Sequence, residues 1–286
     1  MYKRQYVFRK TDFFNKKLLE YYKWTKEVKG IIKTEKPDVV HFLYGDVFYK
    51  YFGLGLEGLK KKHKVVNTIH ALKKGKIGIV SLKRIMHLSS VGVVHTDAIF
   101  NEVKDAGIEN VVHIEYPHFS TGYDIDKAGA RKHYGLSENA FVLGCIGGTR
   151  YDKGLDILLK ALRSVTGDFE LLVAGAEDAI KREEIEELAR PYRDRVKLHL
   201  SFLTDEEFEM AIQAVDAIVL PYRKTFNGAS GPLGEGVAKG KIIIAANHGS
   251  LGDIVEKNHL GYTFESENIE ALKKVLNMAI QRTNYT

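Results

Sequence analysis

Cysteine occurs once in these 286 residues, and no run of 18 or more apolar residues interrupts them. The single Cys145 excludes an internal disulfide and a cysteine-based zinc site. It sits in the apolar run Phe141-Val142-Leu143-Gly144-Cys145-Ile146 and is read as a small core residue. Without a long apolar run or a signal-peptide-like stretch behind the basic start, the sequence reads as neither membrane-spanning nor exported. The expected compartment is the cytoplasm, with a peripheral position at the inner face of the cell membrane as a variant of it. No internal repeat, low-complexity tract or strong carboxylate cluster is evident, and the last of these argues against an essential divalent metal. What is present is 44% apolar and 28% charged residues, enough for two modest α/β domains and too apolar for intrinsic disorder.

The charge is lopsided. Residues 1–120 hold 22 Lys and Arg against 12 Asp and Glu, whereas residues 121–286 hold 21 against 25. A surplus of this size suits an anionic partner for the first part: a phospholipid surface, a phosphorylated substrate or nucleic acid. The segment from Asp12 to Lys36 places Phe14, Leu18, Tyr21, Tyr22, Val28 and Ile32 near helical spacing among many lysines. It is either a surface helix docked on the core or an interfacial helix on a membrane. Nucleic acid is not expected, because neither a helix-turn-helix pattern nor an aromatic RNA-binding signature accompanies the charge.

Apolar runs alternate with helical patterns, which predicts α/β architecture with parallel sheets. Strands are expected at 38–43, 64–69, 91–94 and 111–114, then near 141–146, 169–174, 196–200, 217–221, 241–246 and 260–264. Helices in the second series are expected to begin near 154, 178, 205, 231, 250 and 267. The turn-rich Pro117–Tyr123 separates the series, giving domains 1–120 and 121–286.

Two loops of the second series carry chemistry. After the strand ending at Ile146 comes Gly147-Gly148-Thr149-Arg150-Tyr151-Asp152-Lys153-Gly154. Ligands of open α/β sheets bind beyond strand carboxyl ends, glycines admit them to the backbone, and two cations on one loop can hold a diphosphate. A plain strand-to-helix turn with two solvated cations explains this loop equally well, and its spacing is neither the dinucleotide fingerprint nor the P-loop. The second loop runs from Pro221 through Asn227 to Ser230-Gly231-Pro232-Leu233-Gly234-Glu235. Ser230 or Gly231 suits a helix cap and Pro232 the first turn, so free N–H groups and the positive dipole end would form an anion site. Glu235 is either a carboxylate near that dipole end or an acceptor for both hydroxyls of a ribose.

The order of these pieces, from Gly147-Gly148-Thr149-Arg150 through Leu171-Leu172-Val173-Ala174-Gly175, Ser201-Phe202-Leu203, Asp216 to Pro221, Ser230 to Glu235 and the Gly249-to-Val255 run, resembles the donor domain of the retaining GT-B glycosyltransferases of family 4, the glycosyltransferases group 1. The resemblance covers residues 141–281. It implies a GT-B fold: two Rossmann-like domains whose parallel sheets face each other across a cleft. It further implies an enzyme of hexosyltransferase type, with Arg150 and Lys153 on the donor diphosphate, Gly148 and Thr149 in the loop beneath it, Phe202 and Leu203 at the nucleobase, and Glu235 on the ribose. Ser230, Gly231, Pro232 and Leu233 would meet phosphate and sugar. Asn227 stands where the family commonly has the first acid of a pair; an amide hydrogen-bonds hydroxyls but offers no negative charge to an oxocarbenium ion.

In the first half, the strands at 37–42, 65–70 and 91–97 resemble the family's acceptor domain. His70 lies where members place a histidine facing the donor sugar, while His41 and His95 are read as structural. Nothing before Lys36 resembles the family's opening strand and glycine-rich loop, so the acceptor domain is expected to be reduced or N-terminally incomplete. The expected function is sugar transfer with retention, from a UDP-, GDP- or ADP-sugar to a saccharide or lipid-linked acceptor, in polysaccharide or glycoconjugate synthesis. No cofactor is required, and an anionic membrane surface is a further expected partner. The rival readings are a nucleotide-binding scaffold without turnover, a nucleotide-sugar epimerase and a nucleic-acid-binding protein.

Overall fold

The structure is a computed structural model describing residues 18–73, 75–115, 123, 125–226 and 228–282. Residues 12–17 of the basic segment, the turn-rich stretch 117–122 and Asn227 lie outside the described residues. The chain divides into two compact units, Met1–Glu115 and Tyr116–Thr286.

The first unit holds a parallel sheet of β1 (Val39–Phe42), β2 (Lys64–Ile69), β3 (Val91–Val94) and β4 (Val111–His113), in that spatial order. Its helices are α1 (Leu18–Glu35), α2 (Lys76–His87) and α3 (Asp97–Asp105). Of the basic segment, α1 buries Tyr21, Thr25 and Ile32, and the Tyr21 hydroxyl donates to the Leu54 carbonyl at 2.5 Å. Tyr21, Ile32, Phe48, Leu56, Val65, Ile69, Ile85 and Val94 share one core.

The second unit holds six parallel strands: β5 (Phe141–Ile146), β6 (Phe169–Ala174), β7 (Val196–His199), β8 (Ala217–Leu220), β9 (Ile242–Ala246) and β10 (Gly261–Phe264). Their order is β10-β9-β8-β5-β6-β7. Between them run α4 (Lys127–Tyr134, before β5), α5 (Leu155–Leu162), α6 (Arg182–Ala189), α7 (Asp205–Ala214), α8 (Gly231–Ala238), α9 (Gly249–Lys257) and α10 (Ile269–Arg282). Alternate residues of β5 feed opposite cores: Phe141, Leu143 and Cys145 join the cluster that includes Leu158 and Leu276, while Val142 and Ile146 join Ile212, Leu233 and Leu251. Burial on both faces explains why these strands read as continuous apolar runs. Each such buried aliphatic side chain contributes about 1.5–3 kcal/mol. Burial also pushes the Cys145 thiol up to about 11, the behaviour of an inert core residue.

The strand order reverses between β5 and β8, and such a switch point opens a crevice beyond the strand ends. The two loops singled out in the sequence follow these two strands. The order in the first unit contains no such reversal among the described residues. One helix start departs from the sequence expectation. α6 begins at Arg182, not near 178, because the Thr149 hydroxyl and carbonyl bind the Asp178 N–H at 2.8 Å and the Ile180 N–H at 3.0 Å, holding that stretch as a loop. Among the described residues, no helix is long and apolar enough to cross a membrane.

Candidate functional site at the strand-order reversal

The exit from β5 is set by glycines. Gly147 adopts φ +111°, and a Cβ there would collide with the Lys153 ammonium. A Cβ on Gly175 would strike the backbone of Gly147, so the two strand exits pass in direct contact only because both lack side chains. Gly154, at φ +67°, abuts the Pro221 carbonyl at the end of β8. The two loops are thus joined at their bases. Gly148 accepts the Arg150 N–H at 2.9 Å and leaves its own Cβ position in ordinary contact with the Ala176 carbonyl. Thr149 is buried, and its hydroxyl donates to the Ile180 carbonyl at 2.8 Å while accepting from Asp178. The Thr149 side chain thus ties this loop to the one that follows β6.

Arg150 and Lys153 differ in surroundings. Arg150 Nε donates to Asp152 Oδ1 at 2.9 Å, and its Nη2 pairs with Oδ2 of the same carboxylate. This fork holds the guanidinium above its ordinary pKa and offsets its charge. Among the described residues, no carboxylate pairs with the Lys153 ammonium. It lies 5.7 Å from the Tyr222 ring centroid, as Arg150 lies 5.9 Å from that of Phe226. Tyr222 and Phe226 are buried and 4.4 Å apart, so an aromatic floor underlies both cations and its ring faces favour positive charge above them.

A third cation, overlooked in the sequence reading, stitches the loops. Arg223 is buried. Its Nη1 donates to the Tyr151 carbonyl at 2.6 Å, its Nη2 to Asp156 Oδ2 at 2.8 Å, and its guanidinium stacks 3.8 Å from the Tyr151 ring centroid. The Arg223 N–H also reaches the Asp152 carbonyl at 2.9 Å. Burial raises the Asp156 carboxyl, but the hydrogen bond and charge of Arg223, with help from Lys160, outweigh it and hold the pKa below its usual value. Only an unusually placed arginine after a strand end marks this residue in the sequence.

The helix start facing this loop takes the form its residues dictate. Ser230 is the N-cap, accepting the Leu233 N–H at 3.3 Å, and Pro232 follows in the first turn. Tyr222 and Ser230 share a hydroxyl hydrogen bond at 3.1 Å, which ties the cap to the aromatic floor. The anion site is narrower than the sequence implies: Pro232 has no N–H, Ser230 takes that of Leu233, and among the described residues the Gly231 N–H is left without a partner. Leu233 itself is buried. Space is open where Cβ atoms on Gly231 and Gly234 would stand, whereas one on Gly236 would collide with Ile218, so α8 lies tight on the sheet and its start stays accessible. Half-buried Glu235 lies beyond the first turn, which weakens the dipole explanation for a carboxylate there. At the end of β7, the Phe202 ring is 86% exposed while Leu203 packs into the core. Asn227 lies outside the described residues.

In the first unit, the His70 ring donates from Nε2 to the Leu43 carbonyl at 2.8 Å, and Asp46 takes the N–H groups of His70 and Ala71 at 3.1 and 3.0 Å. Because a carbonyl can only accept, Nε2 carries the proton and Nδ1 is the acceptor of the neutral ring. Tyr44 and His95 flank it at 4.9 and 5.1 Å. His41 binds Thr68 Oγ1 at 2.8 Å and His95 binds the Ile114 carbonyl at 2.9 Å. Burial and the neighbouring His95 lower the His41 pKa. No group of three or more His, Cys, Asp or Glu among the described residues could hold a metal ion.

Residues 140–282 match the model of the family described as glycosyl transferases group 1. The chain belongs to that family. A glycogen synthase from Rhodopseudomonas palustris (strain BisB18) is 25% identical over 236 residues, covering 76% of this chain and 45% of the relative. The chain thus spans less than half the length of that protein. Among solved structures, sucrose-phosphate synthase from Thermosynechococcus elongatus superposes with TM-score 0.77 at 18% identity, covering 95% of this chain and 71% of the other. Anabaena HepE in complex with UDP-glucose gives TM-score 0.71 at 18% identity, covering 95% and 76%. The α/β units, each with a parallel Rossmann-like sheet, are those of GT-B glycosyltransferases. The matched stretch of this group 1 member contains both loops, the aromatic floor and Arg223.

Proposed function

We propose that this chain transfers a hexosyl group, with retention, from a nucleotide-sugar donor to a hydroxyl of a saccharide or lipid-linked acceptor. The observation that carries the reading is the convergence, at the strand-order reversal of the second unit, of two cations on an aromatic floor with an open, capped helix start. A diphosphate fits this chemistry, and a UDP-sugar, of the kind seen with HepE, heads the donor classes, with GDP- and ADP-sugars next. Lys153, Arg150 and the Gly231 N–H would neutralise the departing nucleoside diphosphate. The bond from the anomeric carbon to the diphosphate oxygen breaks, the acceptor oxygen bonds that carbon on the same face, and its proton passes to the leaving phosphate. No protein nucleophile is needed. Glu235 would accept from the ribose hydroxyls and Phe202 would cover the base. No metal or cofactor is part of the reading. The cytoplasm supplies such donors, and the basic surplus of residues 1–120 suits work beside an anionic surface in polysaccharide or glycoconjugate synthesis.

Asn227 favours a second reading, a nucleotide-binding scaffold that does not turn over, because an amide cannot offset positive charge on the sugar. Incubation with nucleotide sugars and an acceptor panel, read by NMR of the product's anomeric proton, separates the two. A product with the donor's anomeric configuration is expected; an inverted product ends the retaining reading, and bound but unconsumed donor favours the scaffold.

Two smaller effects are expected at this site. Asp152→Asn removes the carboxylate that competes with a bound diphosphate for Arg150, and calorimetry should show affinity rising severalfold; a weaker complex would mean that Asp152 holds Arg150 in its working position. Phe202→Ser should weaken nucleotide binding while leaving the unfolding free energy within about 0.5 kcal/mol, as for other exposed positions. An unchanged affinity would remove the ring from the site.

A further inference from the structure

Helix α2 presents an outer face unlike that of an ordinary surface helix. Its inner face buries Gly78, Ser81, Leu82, Ile85 and Met86. On the opposite side Ile77 is 75% exposed and Val80 57% exposed, with Ile79 also in the open. Helical spacing places Ile77 and Val80 side by side, and Lys76, Lys83 and Arg84 on the same surface. Exposed β-branched aliphatics next to one another run against the polar outer face that a solvated helix requires.

The surrounding charge says what covers them. Between Glu57 and Asp97 the sequence holds nine Lys and Arg and no Asp or Glu; the Glu57 carboxylate at its edge reaches Arg84 at 3.4 Å. A protein-binding patch would be larger and depleted in lysine. A few aliphatic side chains ringed by lysines instead match shallow insertion into a bilayer, where apolar tips enter the acyl boundary and long cationic side chains stay at the headgroups.

We propose that the outer face of α2, through Ile77 and Val80 with Lys76 and Lys83 around them, docks the first unit on a bilayer bearing anionic lipids. This deepens, and for its place in the reaction rests on, the reading of the chain as a transferase working beside an anionic surface. It assigns the contact to α2, not to the basic segment before it.

The test is sedimentation of the full chain with vesicles of phosphatidylcholine alone and with about one lipid in three replaced by phosphatidylglycerol, with nucleotide binding by calorimetry in parallel. Partitioning is expected on the anionic vesicles and not on the neutral ones, falling with added salt. Ile77→Glu with Val80→Glu should lower it by about tenfold or more, and Lys76→Gln with Lys83→Gln should abolish the preference for phosphatidylglycerol. Both variants are exposed and should keep the parent's unfolding temperature and nucleotide affinity. No partitioning of the parent, or partitioning that neither variant changes, overturns the proposal. Vesicle binding that responds to the variants in a chain that binds no nucleotide upholds the docking surface and refutes the donor site alone.

Discussion

Lys153→Ala is expected to lower the transfer rate on the order of 10²-fold or more, the loss seen when a preorganised electrostatic donor is removed from a reacting oxyanion. The expectation rests on the contrast with Arg150. That guanidinium is already forked onto Asp152, so much of its charge is offset before a ligand arrives. The Lys153 ammonium lies over Tyr222 and against the glycine at the end of β5, with no carboxylate beside it among the described residues. Its full charge is available to a diphosphate. Because negative charge grows on the leaving group only as the sugar bond breaks, kcat should fall more than KM rises. A variant with near-parental kinetics would show that charge at this loop does not drive the reaction.

Arg223→Met should destabilise the second unit by about 3–5 kcal/mol, because it leaves the Asp156 carboxylate buried with only Lys160 for company. Thermal and urea unfolding measure this directly. Replacing Asp156 by Leu in the same chain should restore most of the loss, since an apolar pair of similar volume leaves no unpaired charge. A double variant as unstable as the single one would mean that the Arg223 bonds to the Tyr151 carbonyl dominate. The pH dependence has a definite sign. Asp156 has a folded pKa below its usual value, so the stability it contributes is complete at neutral pH and is lost as pH falls through that depressed pKa. The gap between parent and Arg223→Met should therefore narrow in acid.

These two residues also mark what can be read in a sequence. Strands β5, β6, β8 and β9 were legible because parallel strands buried on both faces read as near-continuous apolar runs, and Ser230 before Gly231-Pro232 was legible because capping is chemistry within four residues. Lys153 and Arg150 were visible as a pair of cations, but spacing does not reveal that one of them is held by the carboxylate two residues on. Thr149 was visible only as part of the loop that the family resemblance places beneath the diphosphate; the partners of its hydroxyl, Asp178 and Ile180, lie in the next loop and are not readable from spacing. Arg223 was unreadable as a clamp because Asp156 is 67 residues away and only the strand order joins them. In the first unit the four strands were equally plain, while the outer face of α2 was not, since Ile77 and Val80 look like core residues until their exposure is known.

Calorimetric titration of UDP, GDP and ADP into the parent chain and into Glu235→Ala tests the account most directly. Selective binding of one nucleoside diphosphate is expected, weakened in Glu235→Ala with no change in unfolding temperature. Absence of binding at about millimolar ligand, or binding indifferent to Glu235, would contradict a donor site at the strand-order reversal.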